Sequence, residues 1–255
     1  MMLSRMRQAG LVWPTLLALA GLAVLIGLGN WQMQRKAWKD GLIAGVERGA
    51  AQAPIEFQDW AETARSSTDE AGRHALTGPE FVRVRARGRF LHDREAYFYT
   101  VRDGQPGYNV FTPLRMPNGQ TVLVNRGFVP DGLRDPAKRP GSRPEGEVEV
   151  RGLTRSWTEP GFFTPSFDSG RRISYGGTPT IDPMGSADAP VGVYIEAEPA
   201  AEAATLPRGR SAADLLKIIP NRHLEYALTW YGIACTLIGV FAAFAIGRLK
   251  NAPHA

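Results

Sequence analysis

Leu11-Val-Trp-Pro-Thr-Leu-Leu-Ala-Leu-Ala-Gly-Leu-Ala-Val-Leu-Ile-Gly-Leu28 runs for 18 residues without a charge. A helix of that length, rising about 1.5 Å per residue, spans about 27 Å, close to the thickness of a hydrocarbon core. A second such stretch lies near the other end. Tyr226 to Ile246 holds 21 uncharged residues, and its Gly, Ala, Thr and Cys suit close helix packing in lipid. The overall apolar fraction of 44% conceals this segregation. The reading is a membrane protein with one span near each end and the bulk of the chain between them.

Flanking charges orient the spans. Arg5 and Arg7 precede the first, Arg248 and Lys250 follow the second, and neither flank carries an acid, which puts both termini in the cytoplasm. Arg35, Lys36 and Lys39 after the first span weaken that asymmetry, but an even number of spans still leaves both ends on one side. Trp13, Trp31, Trp230 and Tyr231 sit near span ends, as interfacial aromatics do. A cleaved signal peptide is the other reading of the first span. Gly27 and Gly29 could pass as small residues at a cleavage site, yet the apolar core exceeds the usual ~7 to 15 residues. Helical spacing also continues past it through Trp31, Arg35, Trp38, Leu42 and Val46, with Gln32, Lys36, Lys39 and Asp40 between them. Retention is therefore expected, with residues 1–10 cytoplasmic, 11–29 and 223–246 as spans, 30–222 an outer β-rich domain with a helical lead-in, and 247–255 a cytoplasmic tail.

Ala61 to Pro79 has no apolar period and reads as a solvated loop or insertion. From Phe81 the period becomes two: Val82-Arg-Val-Arg-Ala-Arg-Gly-Arg-Phe90 alternates apolar or small residues with four arginines, which describes a strand with one buried and one wet face. Ala96 to Val101 is a second strand. Tyr108 to Arg115 and Thr121 to Val129 flank Pro117-Asn118-Gly119-Gln120, and Asn-Gly marks a hairpin because both residues tolerate positive φ. Val148 to Thr154 and Gly192 to Glu198 complete the set, and Pro160 to Pro190 reads mostly as loop. Short strands with turn signals predict a small antiparallel barrel or sandwich, so the fold class is membrane α+β.

Composition excludes several functions. The formal charge of +5 owes four bases to the two flanks, leaving 26 bases against 25 acids between them and no nucleic-acid footprint. The sole cysteine, Cys235, lies within the second span, so the outer domain has no disulfide and no thiol chemistry. A phosphate-binding Gly loop, a Gly-x-Ser-x-Gly elbow, paired His at i, i+4 and Cys-x-x-Cys are all missing, and an enzyme is not expected.

Of the four histidines, His74 falls in the presumed insertion, His92 in a turn and His254 in the tail. His223 stands at the outer start of the second span and shares a helical face with Tyr226, Ala227 and Trp230. An imidazole beside aromatic rings on a membrane helix suits an axial haem ligand; the plainer reading is an interfacial anchor. Arg83, Arg85, Arg87 and Arg89 read as solubilising charges on a wet strand face. Arg126 interrupts an apolar strand, and a buried Arg needs a carboxylate, either inside the protein or on a ligand; a structural ion pair is the favoured reading.

Five stretches carry a resemblance: Leu28-Gly-Asn-Trp31-Gln-Met-Gln-Arg35-Lys-Ala-Trp38-Lys, Arg83-Val-Arg-Ala-Arg-Gly88-Arg-Phe90, Gly107-Tyr-Asn-Val-Phe-Thr-Pro-Leu, Val122-Leu-Val-Asn125-Arg126-Gly127-Phe-Val-Pro130 and Asn221-Arg-His223-Leu-Glu-Tyr226-Ala-Leu-Thr-Trp230-Tyr. In this order, and with two spans, the chain resembles the Surfeit locus protein 1 family of cytochrome c oxidase assembly factors. It departs from the family pattern at Phe128, where Trp is usual, at Arg222, where a second Asn is common, and through Ala61 to Pro79.

The resemblance implies a non-enzymatic chaperone that binds haem a and assists its insertion into oxidase subunit I. It also implies work beside haem a synthase in the bacterial inner membrane, with the main domain in the periplasm. His223 takes the position of the family's iron ligand. On that footing Tyr226 and Trp230 are expected to flank the porphyrin, and Arg222 or Arg126 to meet a propionate. A site at the bilayer edge lets the isoprenoid tail of haem a stay in lipid while its propionates meet water or bases. Two rivals stand beside this reading: an assembly scaffold that binds oxidase subunits without haem, and a two-span sensor, whose cytoplasmic ends here are too short for an output domain.

Overall fold

The computed structural model describes residues 6–7, 9–68, 74–157, 162–163, 165, 167–175, 192–200 and 206–251. In chain order its elements are α1 (Val12–Ala51), β1 (Ile55–Glu56), α2 (Phe57–Thr63), β2 (Arg65–Thr68), β3 (His74–Thr77), β4 (Arg83–Phe90), β5 (Ala96–Arg102), β6 (Gln105–Arg115), β7 (Thr121–Pro130), β8 (Val148–Ser156), β9 (Ile173–Ser174), β10 (Val193–Ala197), α3 (Ala212–Lys217) and α4 (His223–Lys250). They form two compact units, Met1–Ile43 with Ile219–Ala255, and Ala44–Ile218.

α1 and α4, of 40 and 28 residues, are both long and apolar enough to cross a membrane. Only 6% of the most apolar window of either helix is buried within the protein, so neither is packed as the core helix of a soluble fold is. α1 runs unbroken through the polar residues after Leu28, as the spacing of Trp31, Arg35 and Trp38 predicts. Small residues let the two helices approach. A Cβ on buried Gly29 would overlap the Tyr231 ring, and Ala227 and Ala234 of α4 are buried at 0% and 4% exposure.

In the second unit the sheet order is β1-β4-β8-β10-β7-β6-β5-β9, and β4 also pairs with β6. β4, β8, β10, β7 and β6 thus close a ring of five strands. Directions cannot alternate all the way around an odd ring, so one neighbouring pair must be parallel. That pair is β10 with β7, registered at Tyr194↔Leu123 and Ile195↔Val124. β1–β4 and β5–β9 outside the ring are parallel too, so the sheet is mixed where the sequence reading had it antiparallel.

The alternation in β4 is realised. Val84 and Ala86 are buried in one cluster with Leu114, Val124 and Ile195, while the arginines between them face outward. Those arginines are more than solubilising charges: Arg83 pairs with Glu198 at 2.7 Å, Arg85 with Glu56 at 2.6 Å and Arg87 with Glu149 at 3.0 Å. Ion pairs this close to the surface are weak, so the buried cluster and not the pairs holds β4. The hairpin forms as expected, although of the Asn-Gly pair only Gly119 takes positive φ, at 87°, and the Asn118 side chain accepts a hydrogen bond from the Gln120 amide at 3.0 Å.

Between Phe57 and Thr77 the structure holds elements that the sequence reading did not have. α2 sends Phe57 and Trp60 into the barrel cluster, and the Trp60 indole donates to the Pro79 carbonyl at 3.2 Å. Ala61 to Pro79 is not a bare loop, because β2 and β3 form an antiparallel hairpin of their own, registered from Arg65↔Thr77 to Thr68↔His74. Residues 69–73, and much of the stretch read as loop between Pro160 and Pro190, lie outside the described residues.

Candidate functional site

His223 is the first residue of α4, and it lies on the stripe of that helix that faces α1. Its Nδ1 is 2.7 Å from Oε1 of Gln32 on α1. A carboxamide oxygen only accepts, so with the Gln32 amide in this orientation a neutral imidazole carries its proton on Nδ1 and its lone pair on Nε2. No hydrogen bond involves Nε2 among the described residues. Two residues earlier, the Asn221 amide donates to Asp40 at 2.7 Å, and Asp40 also pairs with Lys36 at 2.6 Å. Further down the seam, the Tyr231 hydroxyl donates to Asn30 at 2.8 Å. One face of α1 thus fixes the first turns of α4.

The other predicted residues around His223 separate by exposure. Tyr226 is 53% exposed and so is open to a flat apolar ligand, whereas Ala227 is fully buried. Trp230, seven residues on, lies about 20° from His223 around the helix and is half-buried. Arg222 is engaged with Glu225 at 2.8 Å on an exposed surface. The described residues contain no cluster of three or more His, Cys, Asp or Glu that could hold a bare metal ion. A single imidazole with a free Nε2 therefore fits a metal that brings its remaining ligands with it, as haem iron does.

Arg126 belongs to the β-rich unit, and its environment explains why an arginine interrupts β7. Val110 pairs with Gly127 and Phe111 with Asn125, so Arg126 is the extra residue of a β-bulge. Its guanidinium lies 4.6 Å from the Phe90 ring centroid, 3.5 Å from Glu95 and 2.5 Å from the Ser142 carbonyl. Arg139 shares the same carboxylate, which also accepts from the Tyr97 hydroxyl at 2.7 Å. The ion pair expected for a buried Arg126 is present. Burial pushes the Arg126 guanidinium down to about 10, with Glu95 opposing and Arg139 reinforcing that shift. The neighbours of Arg126 are structural as well: the Asn125 side chain accepts from the Gly127 amide at 3.1 Å and donates to buried Glu196 at 2.9 Å.

His92 opens a 3-10 turn after β4, and its Nε2 lies 3.0 Å from the Pro144 carbonyl, tying the turn to the loop that follows β7. Burial, more than the neighbouring Arg126, holds His92 below its ordinary value of 6.5. The unfolded chain therefore binds a proton more readily than the folded one. The contribution of neutral His92 is complete above 6.5 and is lost as pH falls from there towards the depressed native value. Denaturation midpoints measured from pH 7.5 to 5.5 are expected to fall more steeply for the native protein than for His92→Gln, whose amide still donates to Pro144 but does not titrate. Equal slopes would show that the turn does not sense this proton.

A five-stranded barrel carried with two helices long and apolar enough to cross a membrane defines the class: a two-span candidate membrane protein with a folded β-domain between the helices. The chain belongs to the SURF1 family, whose model matches residues 19–235. It is 28% identical over 246 residues to Surfeit locus protein 1 of Takifugu rubripes, covering 89% of this chain and 95% of that protein. It is 32% identical over 250 residues to the SURF1-like protein of Monosiga brevicollis, covering 92% and 87%. Against human Surfeit locus protein 1 the identity is 29% over 225 residues, covering 82% and 69%.

Gln32 escaped the sequence reading as a site residue. It stood out only as one polar position on a helix, and its partner lies 191 residues away.

Proposed function

We propose that the protein is an assembly factor for haem-a-containing cytochrome c oxidase, which holds haem a as cargo for oxidase subunit I after its synthesis by haem a synthase. In this reading it resides in a bacterial inner membrane, with residues 30–222 in the periplasm. The observation that carries the haem step is the imidazole of His223, whose Nδ1 is bound at 2.7 Å and whose Nε2 is open, at the head of an apolar helix beside exposed Tyr226. His223 is the iron ligand, and Tyr226 and Trp230 offer apolar surface to the porphyrin. Arg222 meets a propionate by exchanging its surface pair with Glu225, a change that costs little because exposed pairs are weak. Arg126 already satisfies a buried carboxylate, which makes it the weaker of the two candidates for a propionate.

The test is the visible spectrum of the protein purified in detergent from cells that co-express haem a synthase. The native protein and His92→Ala are expected to carry a haem a band, and His223→Ala to lose it. Equal haem in all three would remove His223 as the ligand. A native protein that stays colourless while haem a is abundant would leave the scaffold reading in its place.

A further inference from the structure

We infer that Gln32 is the positioning residue of this site, fixing the tautomer of His223 so that Nε2 presents a lone pair outward; the inference rests on the haem-carrier reading for its purpose but not for its geometry. A neutral imidazole has one N–H and one lone pair, and the hydrogen bond made by one nitrogen decides which of the two it is. Here that bond is the 2.7 Å contact between His223 Nδ1 and Gln32 Oε1. With the carboxamide turned the other way, its NH2 would donate to Nδ1 and the ring proton would sit on Nε2. The ring would then point an N–H at the iron and could not ligate it. The direction of one amide thus sets whether the site is competent.

The surroundings hold that geometry. Asp40 lies two helical turns beyond Gln32 on α1 and grips Asn221, just ahead of His223. Asn30, two residues before Gln32, takes the Tyr231 hydroxyl, and Gly29 lets the Tyr231 ring lie flush against α1. Contacts on both sides of Gln32 keep the start of α4 in place without its help. Removing its amide should therefore free the imidazole's proton without releasing the helix. A hydrogen-bond partner on the other nitrogen of a ligating imidazole raises its basicity and orients the ring, and its loss typically lowers metal affinity about 10- to 100-fold.

The experiment reads the tautomer directly. Imidazole 15N spectra of the full chain without haem, in detergent, are compared for the native protein, Gln32→Leu and Gln32→Glu, with His223 assigned by the signal missing in His223→Ala. The native ring and Gln32→Glu, whose carboxylate can only accept, are expected to show the proton on Nδ1, and Gln32→Leu to show a mixture. Haem a titrated into the same samples should bind Gln32→Leu about 10- to 100-fold more weakly than the native protein, with Gln32→Glu close to native. A native ring protonated on Nε2, or a Gln32→Leu spectrum like the native one, overturns the inference even if haem binds. If the tautomer responds as expected and no variant binds haem, the positioning role stands and the carrier reading falls.

Discussion

Glu95→Ala is expected to destabilise the β-rich unit by about 3 to 5 kcal/mol. Glu95 is 3% exposed and is the one carboxylate that Arg126 and Arg139 share, with Tyr97 donating to it as well. Without it, two guanidiniums repel each other in a region too buried for water to screen them. The cost comes from the stranded cations more than from the lost bonds, which gives the prediction a second arm. Replacing all three members, as Glu95→Leu with Arg126→Met and Arg139→Met, is expected to recover most of the loss, since apolar packing often does as well as a buried ion triad. Guanidinium denaturation of the two variants beside the native protein decides it. A cost under about 1 kcal/mol for Glu95→Ala, or no recovery in the triple variant, would mean that the cluster is not held by this balance.

Gly127→Ala is expected to cost a similar amount. Gly127 closes the bulge with φ 115°, a region that L residues adopt at a cost of about 1 to 3 kcal/mol. A Cβ there would also overlap the backbone carbonyl of Arg208. That carbonyl cannot retreat freely, because Phe128 and Arg208 exchange two backbone hydrogen bonds, each of 2.9 Å. Giving way means losing both, at about 1 kcal/mol each, so the total reaches about 3 to 5 kcal/mol. Gly104→Ala isolates the conformational part, since Gly104 has φ 77° and open space around it. Its midpoint is expected to shift by no more than about a third to a half as much. Equal shifts for the two would show that the approach of Arg208 plays no part.

Much of this fold is legible in the sequence because burial imposes a local period. Val82 to Phe90 announces a strand by alternation, Asn118-Gly119 announces its hairpin, and the uncharged runs announce both long helices. What stayed hidden is what period does not encode. The parallel seam between β10 and β7 follows from how many strands close the ring, which no single strand records. The β2–β3 hairpin is built from Arg-Ser-Ser-Thr and His-Ala-Leu-Thr, lies outside the main sheet, and gives no apolar signature. Arg126 showed its oddity in the sequence, but only pairing across β6 reveals it as a bulge residue aimed at Glu95. The histidine site divides the same way. His223 was visible from its place at a span end, whereas Gln32 acquires meaning only when the second helix folds back onto the first.

The place of β10 in the ring has a consequence for how the chain is made. β10 sits between β8 and β7, yet it is the last of the described strands in chain order and so the last of them to leave the ribosome. Until residues 193–197 emerge, β4 to β8 can pair only as an open sheet, with one edge of β7 and one of β8 unsatisfied and the interior face of Val122 and Val124 uncovered. Unpaired strand edges recruit strands from other chains. A stop codon or a protease cut ahead of Val193 therefore yields no smaller closed barrel but a sheet with two open edges.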